Sequence, residues 1–167
     1  MELAEFVERV KDIQQEDVEL LKHLVSTSSE VFIIGNGGSN AIASHMAIDY
    51  TKFLGKKCYV PNSGDMLSML VNDYGYEQSY AKFIEYNYSR NNQLAILISS
   101  SGNSKNIINA AYSCAKLKIP TILLSGFSKD NSLNTITSDN IKMRYWVDSK
   151  NYGVVELVHH TFLHCIV

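Results

Sequence analysis

The sequence predicts an α/β fold: a mostly parallel, doubly wound sheet of five strands between two layers of helices, which makes a three-layer α-β-α sandwich. Two observations carry this prediction. Short apolar runs such as Val31–Ile34 and Leu94–Ser99 are typical of strands that are buried on both faces. These runs alternate along the chain with segments of helical periodicity, and that alternation is typical of parallel sheets.

The composition of the chain is that of one globular domain over residues 1–167. Hydrophobic residues make up 46% of the chain, enough for a core, and the net charge is −2. No basic run indicates nucleic acid or a membrane surface as a partner. The start is charged and amphipathic, unlike a signal peptide, and no apolar run could span a bilayer, so we expect a cytoplasmic protein. The three cysteines are predicted to be buried free thiols: Cys58, Cys114 and Cys165.

The first 28 residues are predicted to form one long helix, because apolar residues recur at helical spacing from Leu3 to Val25. Its apolar stripe could pack on the chain's own sheet or on a neighbouring subunit, and we expect residues 1–28 to serve oligomer packing. The five strands expected are Val31–Ile34, Lys57–Val60, Leu94–Ser99, Thr121–Ser125 and the edge strand Ile141–Val147. The later helices are expected over residues 40–53, 65–70, 77–88, 104–117 and 153–167.

A glycine-rich turn follows the first strand. Its sequence, from Gly35 to Ser39, is GNGGS, and a helical pattern comes next. Glycines let backbone N–H groups approach a ligand, and the N-terminus of a helix adds partial positive charge, so this turn could bind an anion. Ser39 could cap the helix or donate its hydroxyl to a phosphate. The turn matches neither a Walker A loop nor a dinucleotide fingerprint, and by itself it could be a simple tight turn.

A serine-rich turn follows the third predicted strand. Residues 99–104 read SSSGNS and also precede a helix. One such turn could be a polar loop with Ser104 as its helix N-cap. Two turns at the carboxyl ends of buried parallel strands favour a pocket for a phosphate or phosphosugar, held by hydroxyls and backbone amides rather than by lysine or arginine.

The helix after the first turn carries a histidine and a carboxylate one turn apart. His45 and Asp49 are predicted to share the apolar face of Ile42, Met46 and Phe53. Burying a histidine and a carboxylate costs free energy unless the two groups pair with each other or belong to a functional site. The pair could therefore be a mutually satisfied buried pair, a contact between subunits, or part of a site.

The last helix carries Glu156, His160 and His164 in one stripe, opposite its apolar face. This stripe could be a solvated surface, or it could hold a general base or a metal. Together with His45 and Asp49 it supplies the residue types of a zinc site. The polar segment 72–77, NDYGYE, fits turn chemistry and leaves the roles of its carboxylates open.

Four motifs in this order, GNGGS, NDYGYEQ, ISSSGNSKN and a final LHCIV, resemble the SIS (sugar isomerase) domain family. Within it the chain is most similar to phosphoheptose isomerases, which convert sedoheptulose 7-phosphate to D-glycero-D-manno-heptose 7-phosphate through an enediol. The resemblance covers nearly the whole chain and implies an SIS/flavodoxin-like fold. It also implies a homotetramer with active sites between subunits, a phosphosugar substrate and a role in making the heptose of surface polysaccharides.

The resemblance also implies roles for individual residues. The catalytic acid/base pair would be Asp49 and His164, on opposite sides of the sugar. Some family members bind zinc, for which His45, Asp49, Glu156 and His164 would be the ligands, and no other cofactor is implied. The phosphate and sugar would be contacted by residues of the two turns and of the segment between them: Asn36, Gly37, Gly38, Ser39, Asp73, Ser99, Ser100, Ser101 and Ser104, with Glu156.

Three positions depart from the family pattern. Asp49 replaces the usual glutamate, Glu156 replaces a glutamine, and Phe53 stands where an arginine is common. These departures favour an alternative in which the chain is a non-catalytic module that binds a phosphosugar or a replication initiator protein. Retention of His45, of a carboxylate at position 49 and of His164 favours an enzyme.

Overall fold

The computed structural model describes residues 2–167 and confirms the α/β class. The sheet contains five strands in the order β2-β1-β3-β4-β5. Every neighbouring pair is parallel. The strands are β1 Glu30–Ile34, β2 Lys57–Tyr59, β3 Gln93–Ser99, β4 Thr121–Ser125 and β5 Ile141–Trp146.

Helices cover both faces of the sheet and complete the three-layer sandwich. They are α1 Leu3–Lys11, α2 Gln15–Ser26, α3 Gly38–Leu54, α4 Gly64–Tyr74, α5 Ser79–Tyr86, α6 Lys105–Leu117 and α7 Tyr152–His164. One core joins α2, α3 and α7 to strand residues such as Val31 and Ile33. The other joins α4, α5 and α6 to Phe32 and Ile34, whose side chains alternate with the first set across the sheet.

The predicted single helix over residues 1–28 is wrong: α1 and α2 are separate helices with a break at residues 12–14. Met1 lies outside the described residues. The break lets the two helices reach different partners, because α1 packs against α7 while α2 packs beside β5. Val18, Leu21 and Val25 of α2 are buried, whereas no residue of α1 is buried.

Two smaller expectations also fail. The helix predicted over residues 77–88 is a short 3₁₀ helix, Tyr76–Gln78, followed by α5. Of the three cysteines only Cys114 is buried; Cys58 is half-buried, and Cys165, directly after α7, is exposed. Within residues 2–167, no helix has the length and apolar character needed to cross a lipid bilayer.

The strand order brings the two predicted turns together. From β1 the chain passes through α3 on one face and returns at β2, whereas from β3 it passes through α6 on the other face and returns at β4. The connections leave β1 and β3 in opposite directions although these strands are neighbours in the sheet. A crevice therefore opens at their carboxyl ends, where ligands bind in sheets of this kind.

Candidate active site

The glycine-rich and serine-rich turns line one cleft of about 240 Å³ at the carboxyl ends of β1 and β3. The Oγ atoms of Ser39 and Ser100 are 3.5 Å apart, and the hydroxyl of Ser99 donates to Oγ of Ser104 at 3.2 Å. The lining residues include every substrate contact predicted in the two turns: Asn36, Gly37, Gly38, Ser39, Ser99, Ser100, Ser101 and Ser104, together with Ile98, Tyr152 and Glu156.

The glycines make this arrangement sterically possible. Gly37 precedes the first residue of α3 with a φ of 54°, a conformation that glycine adopts at little cost. A Cβ on Gly35 would lie 2.7 Å from the main chain of Ser39, so a larger residue would force the turn open. Ser39 lies inside the first turn of α3 and does not cap it. Its hydroxyl is therefore available to the cleft.

Both helices that follow the turns begin at the cleft. Helix α3 starts at Gly38, and α6 starts directly after Ser104, whose side chain bonds to Ser99 instead of capping the helix. Each N-terminus leaves backbone N–H groups unpaired within its helix and carries partial positive charge. The cleft can therefore bind an anion through amides and hydroxyls.

Glu156 brings a carboxylate into the same cleft. It projects from α7 onto Gly38, where a Cβ would collide with the carboxylate. Burial raises the pKa of Glu156. Among the described residues that line the cleft, Glu156 is the one with a carboxyl group, and there is no lysine or arginine to balance its negative charge.

A cluster of histidines with one carboxylate lies on the same two helices, about two to three turns further along α3 and one to two turns further along α7. Asp49 Oδ2 is 3.2 Å from Nε2 of His45 and 3.7 Å from Nδ1 of His164. His164 Nε2 is 3.1 Å from Nε2 of His160. Burial lowers the pKa of His160, and the nearby His164 and His45 lower it further, while Asp49 opposes them.

The packing of α3 against α7 assembles this cluster. Each helix supplies two residues one turn apart, His45 and Asp49 from α3 and His160 and His164 from α7. One ring nitrogen from each of the three histidines lies within 4.8 Å of the others. Sequence reasoning placed all four residues among the residue types of a zinc site, but the ligand set that the resemblance implied left out His160.

The predicted face of α3 needs correction. The buried stripe contains Ile42, Met46 and Tyr50, whereas the side chain of His45 is 52% exposed and Phe53 is 56% exposed. A step of three residues along an α-helix falls 60° short of a full turn, so positions 45, 49 and 53 form a stripe beside the buried one. His45 and Asp49 are therefore paired at the edge of the core rather than inside it.

The positions of Asp49 and His164 also differ from expectation. Their nearest atoms are 3.7 Å apart, too close for a sugar chain to pass between them. The prediction that they flank the sugar on opposite sides is therefore wrong within one chain. They lie side by side because the helices that carry them are neighbours, and both groups would approach a ligand from the same side.

Asp73 does not line the cleft with the other predicted contacts. It is exposed in the last turn of α4, and its carboxylate accepts a hydrogen bond from Asn72. The segment that follows reaches the cleft through another residue, because the Tyr76 hydroxyl donates to Oδ1 of Asn36 at 2.9 Å. Sequence reasoning missed Tyr76, and also Tyr152, which could have been found from its position at the start of α7.

The donor set of the cluster fits a zinc ion. Imidazole nitrogen and carboxylate oxygen are both common zinc ligands, and His45, His160 and His164 can be joined by the carboxylate of Asp49. Glu156, which the resemblance placed among the ligands, is not part of this group of donor atoms. Its carboxylate lies at Gly38 in the cleft.

Comparison with known proteins places this fold and cleft in a family. Residues 2–126 match the SIS domain family, and the chain belongs to it. Over 130 residues it is 32% identical to a phosphoheptose isomerase of Helicobacter pylori (strain ATCC 700392 / 26695). The aligned residues cover 74% of this chain and 67% of that protein. It is 27% identical over 172 residues to the phosphoheptose isomerase of Fusobacterium nucleatum, covering 99% of this chain and 86% of that protein.

The fold is also that of a solved phosphoheptose isomerase. The structure of the enzyme from Neisseria gonorrhoeae superposes with a TM-score of 0.85 and covers 98% of this chain and 91% of that one. The sequence identity is 22%, so this likeness concerns the fold alone.

Proposed function

We propose that this protein is a phosphosugar aldose–ketose isomerase that interconverts sedoheptulose 7-phosphate and D-glycero-D-manno-heptose 7-phosphate in heptose synthesis for surface polysaccharides. The main support is one juxtaposition: a cleft suited to a phosphate lies beside a cluster of acid/base groups on the same two helices, α3 and α7. The names of its relatives support the same reaction.

Different residues of the chain bind the phosphate and transfer the protons. Hydroxyls of the serine-rich turn and amides at the starts of α3 and α6 bind the phosphate. Asp49 takes a proton from C1 of the ketose, a cis-enediol forms, and Asp49 returns the proton to C2. When no ion is bound, His164, beside it, moves a proton from the oxygen on C1 to the oxygen on C2. Because Asp49 makes both carbon-proton transfers from one side of the sugar, the proton leaves and returns on the same face.

We also propose that the histidine cluster binds zinc through His45, His160 and His164, with Asp49 beside them. Zinc bound there would supply Lewis-acid stabilisation of negative charge on the carbonyl oxygen of the sugar, in place of the proton that His164 carries when no ion is bound. Titration of the protein with zinc alone, followed by calorimetry, should show one ion per chain. His160→Gln should weaken zinc binding by at least roughly tenfold. Removing a group that only orients a metal ligand typically costs about 10–100-fold in affinity, and His160 would be a ligand itself. His23→Gln, an exposed histidine on α2, is the matched control.

The reaction itself is tested by NMR of the protein with sedoheptulose 7-phosphate in deuterated water, with and without zinc. Deuterium should enter at C2 of the product, to the extent that the proton held by Asp49 exchanges with solvent before it is returned. Asp49→Asn and His164→Gln should each lower the rate by roughly 10²–10⁴-fold, the usual contribution of a general acid or base. Binding of the sugar phosphate without conversion to the aldose and without exchange would reject the isomerase and leave a phosphosugar-binding module. Exchange with a different ketose phosphate only would keep the chemistry and change the substrate.

We further propose that the chain acts as a cytoplasmic homotetramer with active sites between subunits. The single chain leaves apolar side chains on α1 and α3 without cover. Leu3 is 69% exposed and Val7 is 44% exposed on α1, and Ile48 is 66% exposed on α3. Contacts between subunits would bury these groups and would close the cleft further from water.

A further inference from the structure

We propose that Asn106 is a positioning residue that fixes the side-chain amide of Asn36 with a single N–H donor free for an acceptor oxygen of the ligand. This inference rests on the proposed function, because Asn36 lines the cleft that would bind the phosphosugar. Asn106 itself is absent from the cleft lining and is only 1% exposed. It therefore acts through Asn36.

The two amides form a reciprocal pair across the crevice between β1 and β3. Asn36 Nδ2 donates to Oδ1 of Asn106 at 2.9 Å, and Asn106 Nδ2 donates to Oδ1 of Asn36 at 2.9 Å. A side-chain amide has two N–H donors and one oxygen that can accept two hydrogen bonds. The pair therefore uses one donor of each amide and half of each oxygen's capacity.

One further contact sets the direction of the pair. The backbone N–H of Ile107 donates to Oδ1 of Asn106 at 3.0 Å. If both amides were flipped, their mutual hydrogen bonds would survive, but the N–H of Ile107, which also donates to the carbonyl oxygen of Ser104 at 3.0 Å, would then face the NH₂ group of Asn106. The hydrogen bond to Oδ1 would be lost and two N–H donors would point at each other, so the first turn of α6 holds Asn106, and through it Asn36, in one orientation.

The hydrogen-bonding groups of Asn36 that stay free for a ligand can then be counted. Its Oδ1 already accepts from Asn106 and from the hydroxyl of Tyr76, at 2.9 Å each. That oxygen is full, and only the second N–H of Asn36 has no partner among the described residues. Asn36 can therefore donate to a carbonyl, hydroxyl or phosphate oxygen of the ligand, but it cannot accept from a ligand hydroxyl.

The free protein offers a direct test by NMR of the side-chain amides. In the wild type, one N–H proton of Asn36 should exchange with solvent slowly and the other quickly, because only one is hydrogen-bonded within the protein. In Asn106→Ala both should exchange quickly. Equal exchange of the two protons in the wild type, or an unchanged pattern in Asn106→Ala, would overturn the inference whether or not the protein is an isomerase.

Binding of sedoheptulose 7-phosphate tests the ligand half of the inference, without requiring turnover. Asn106→Ala should weaken binding by about five- to tenfold, the value of one neutral hydrogen bond. In an Asn36→Ala background, Asn106→Ala should have no further effect, since its action passes through Asn36. Equal losses in both backgrounds would show a merely structural role and overturn the proposal.

Asn140→Ala is the matched control for this test. Asn140 donates to the carbonyl oxygen of Ala115 at 3.1 Å, near the C-terminal end of α6 and away from Asn36. It should leave binding and the exchange pattern of Asn36 unchanged. Binding without turnover would count against the isomerase and not against the amide pair. Failure of the proposed function can therefore be distinguished from failure of the proposed role of Asn106.

Discussion

At the scale of single residues, Glu156 is the side chain with the largest chemical consequence in the cleft. Its carboxylate lies among hydroxyls and amides that otherwise suit an anion. Burial raises its pKa, so the folded protein binds this proton more tightly than the unfolded chain does. The neutral acid is therefore favoured below the raised pKa, and as the pH rises through it the charged form both costs stability and repels a phosphate.

Glu156→Gln should remove this repulsion. We expect the mutant to bind sedoheptulose 7-phosphate more tightly than the wild type above the raised pKa of Glu156, by about tenfold, the effect of one unit charge at several ångströms in a partly screened site. Below that pKa the two proteins should converge. The phosphate ionises near pH 6 whichever protein binds it, so the ratio of the dissociation constants of wild type and mutant reports the effect of Glu156.

Calorimetric titrations at a series of pH values measure this ratio. Glu16→Gln removes an exposed carboxylate on α2 and is the control for net charge. A ratio that stays constant with pH would show that Glu156 does not sense the phosphate.

At the scale of secondary structure, the connection from β1 to α3 is the most constrained element of the site. Gly35 packs on the main chain of Ser39, and Gly37 takes a positive φ directly before α3. Tyr80 reinforces the turn, because its hydroxyl donates to the carbonyl oxygen of Gly35 at 3.0 Å. The turn is therefore held rigidly, which keeps the amides of α3 aimed at the cleft.

Gly35→Ala should destabilise the protein by about 1–3 kcal/mol, because the added methyl group meets backbone that cannot move independently of the turn. Gly64→Ala is the matched control, since nothing lies within 4 Å of a Cβ there. It should leave the free energy of unfolding unchanged or raise it by up to about 1 kcal/mol through better helix propensity. Urea denaturation measures both values, and equal stabilities for the two mutants would contradict the proposed rigidity of the turn.

At the scale of the whole molecule, the strand order decides where the chemistry lies. Placing β1 beside β3 brings together turns that are more than sixty residues apart in sequence, as the contact between Ser39 and Ser100 shows. Packing α3 against α7 then brings His45 and Asp49 to His160 and His164. The cleft and the histidine cluster share these two helices, so a shift of either helix would alter both.

The proposed assembly is tested at the same scale. Replacing Leu3 and Val7 together by glutamate should convert the tetramer to smaller species in sedimentation velocity, because both side chains are exposed in the single chain. The fold of each chain should survive, since no residue of α1 is buried. Tyr112→Glu, at a 56% exposed position on α6, is the control. A mutant that sediments like the wild type would show that α1 takes no part in assembly.

Local signals in the sequence determined the α/β class, the approximate strand positions and the two turns at the cleft. Apolar runs, glycine turns and helical periodicity act over a few residues, so a single sequence carries them in full. For the same reason the serines of the cleft and the pairing of His45 with Asp49 could be predicted. The roles of individual residues came from the resemblance to a family.

Only the tertiary structure decided which of these residues meet. The break between α1 and α2, the exposure of His45 and the position of Asp73 outside the cleft depend on how each helix packs against its neighbours. The close approach of Asp49 to His164 and the pairing of Asn36 with Asn106 join residues 115 and 70 positions apart, for which no local pattern exists. Such contacts follow from strand order and helix packing, which are properties of the whole chain.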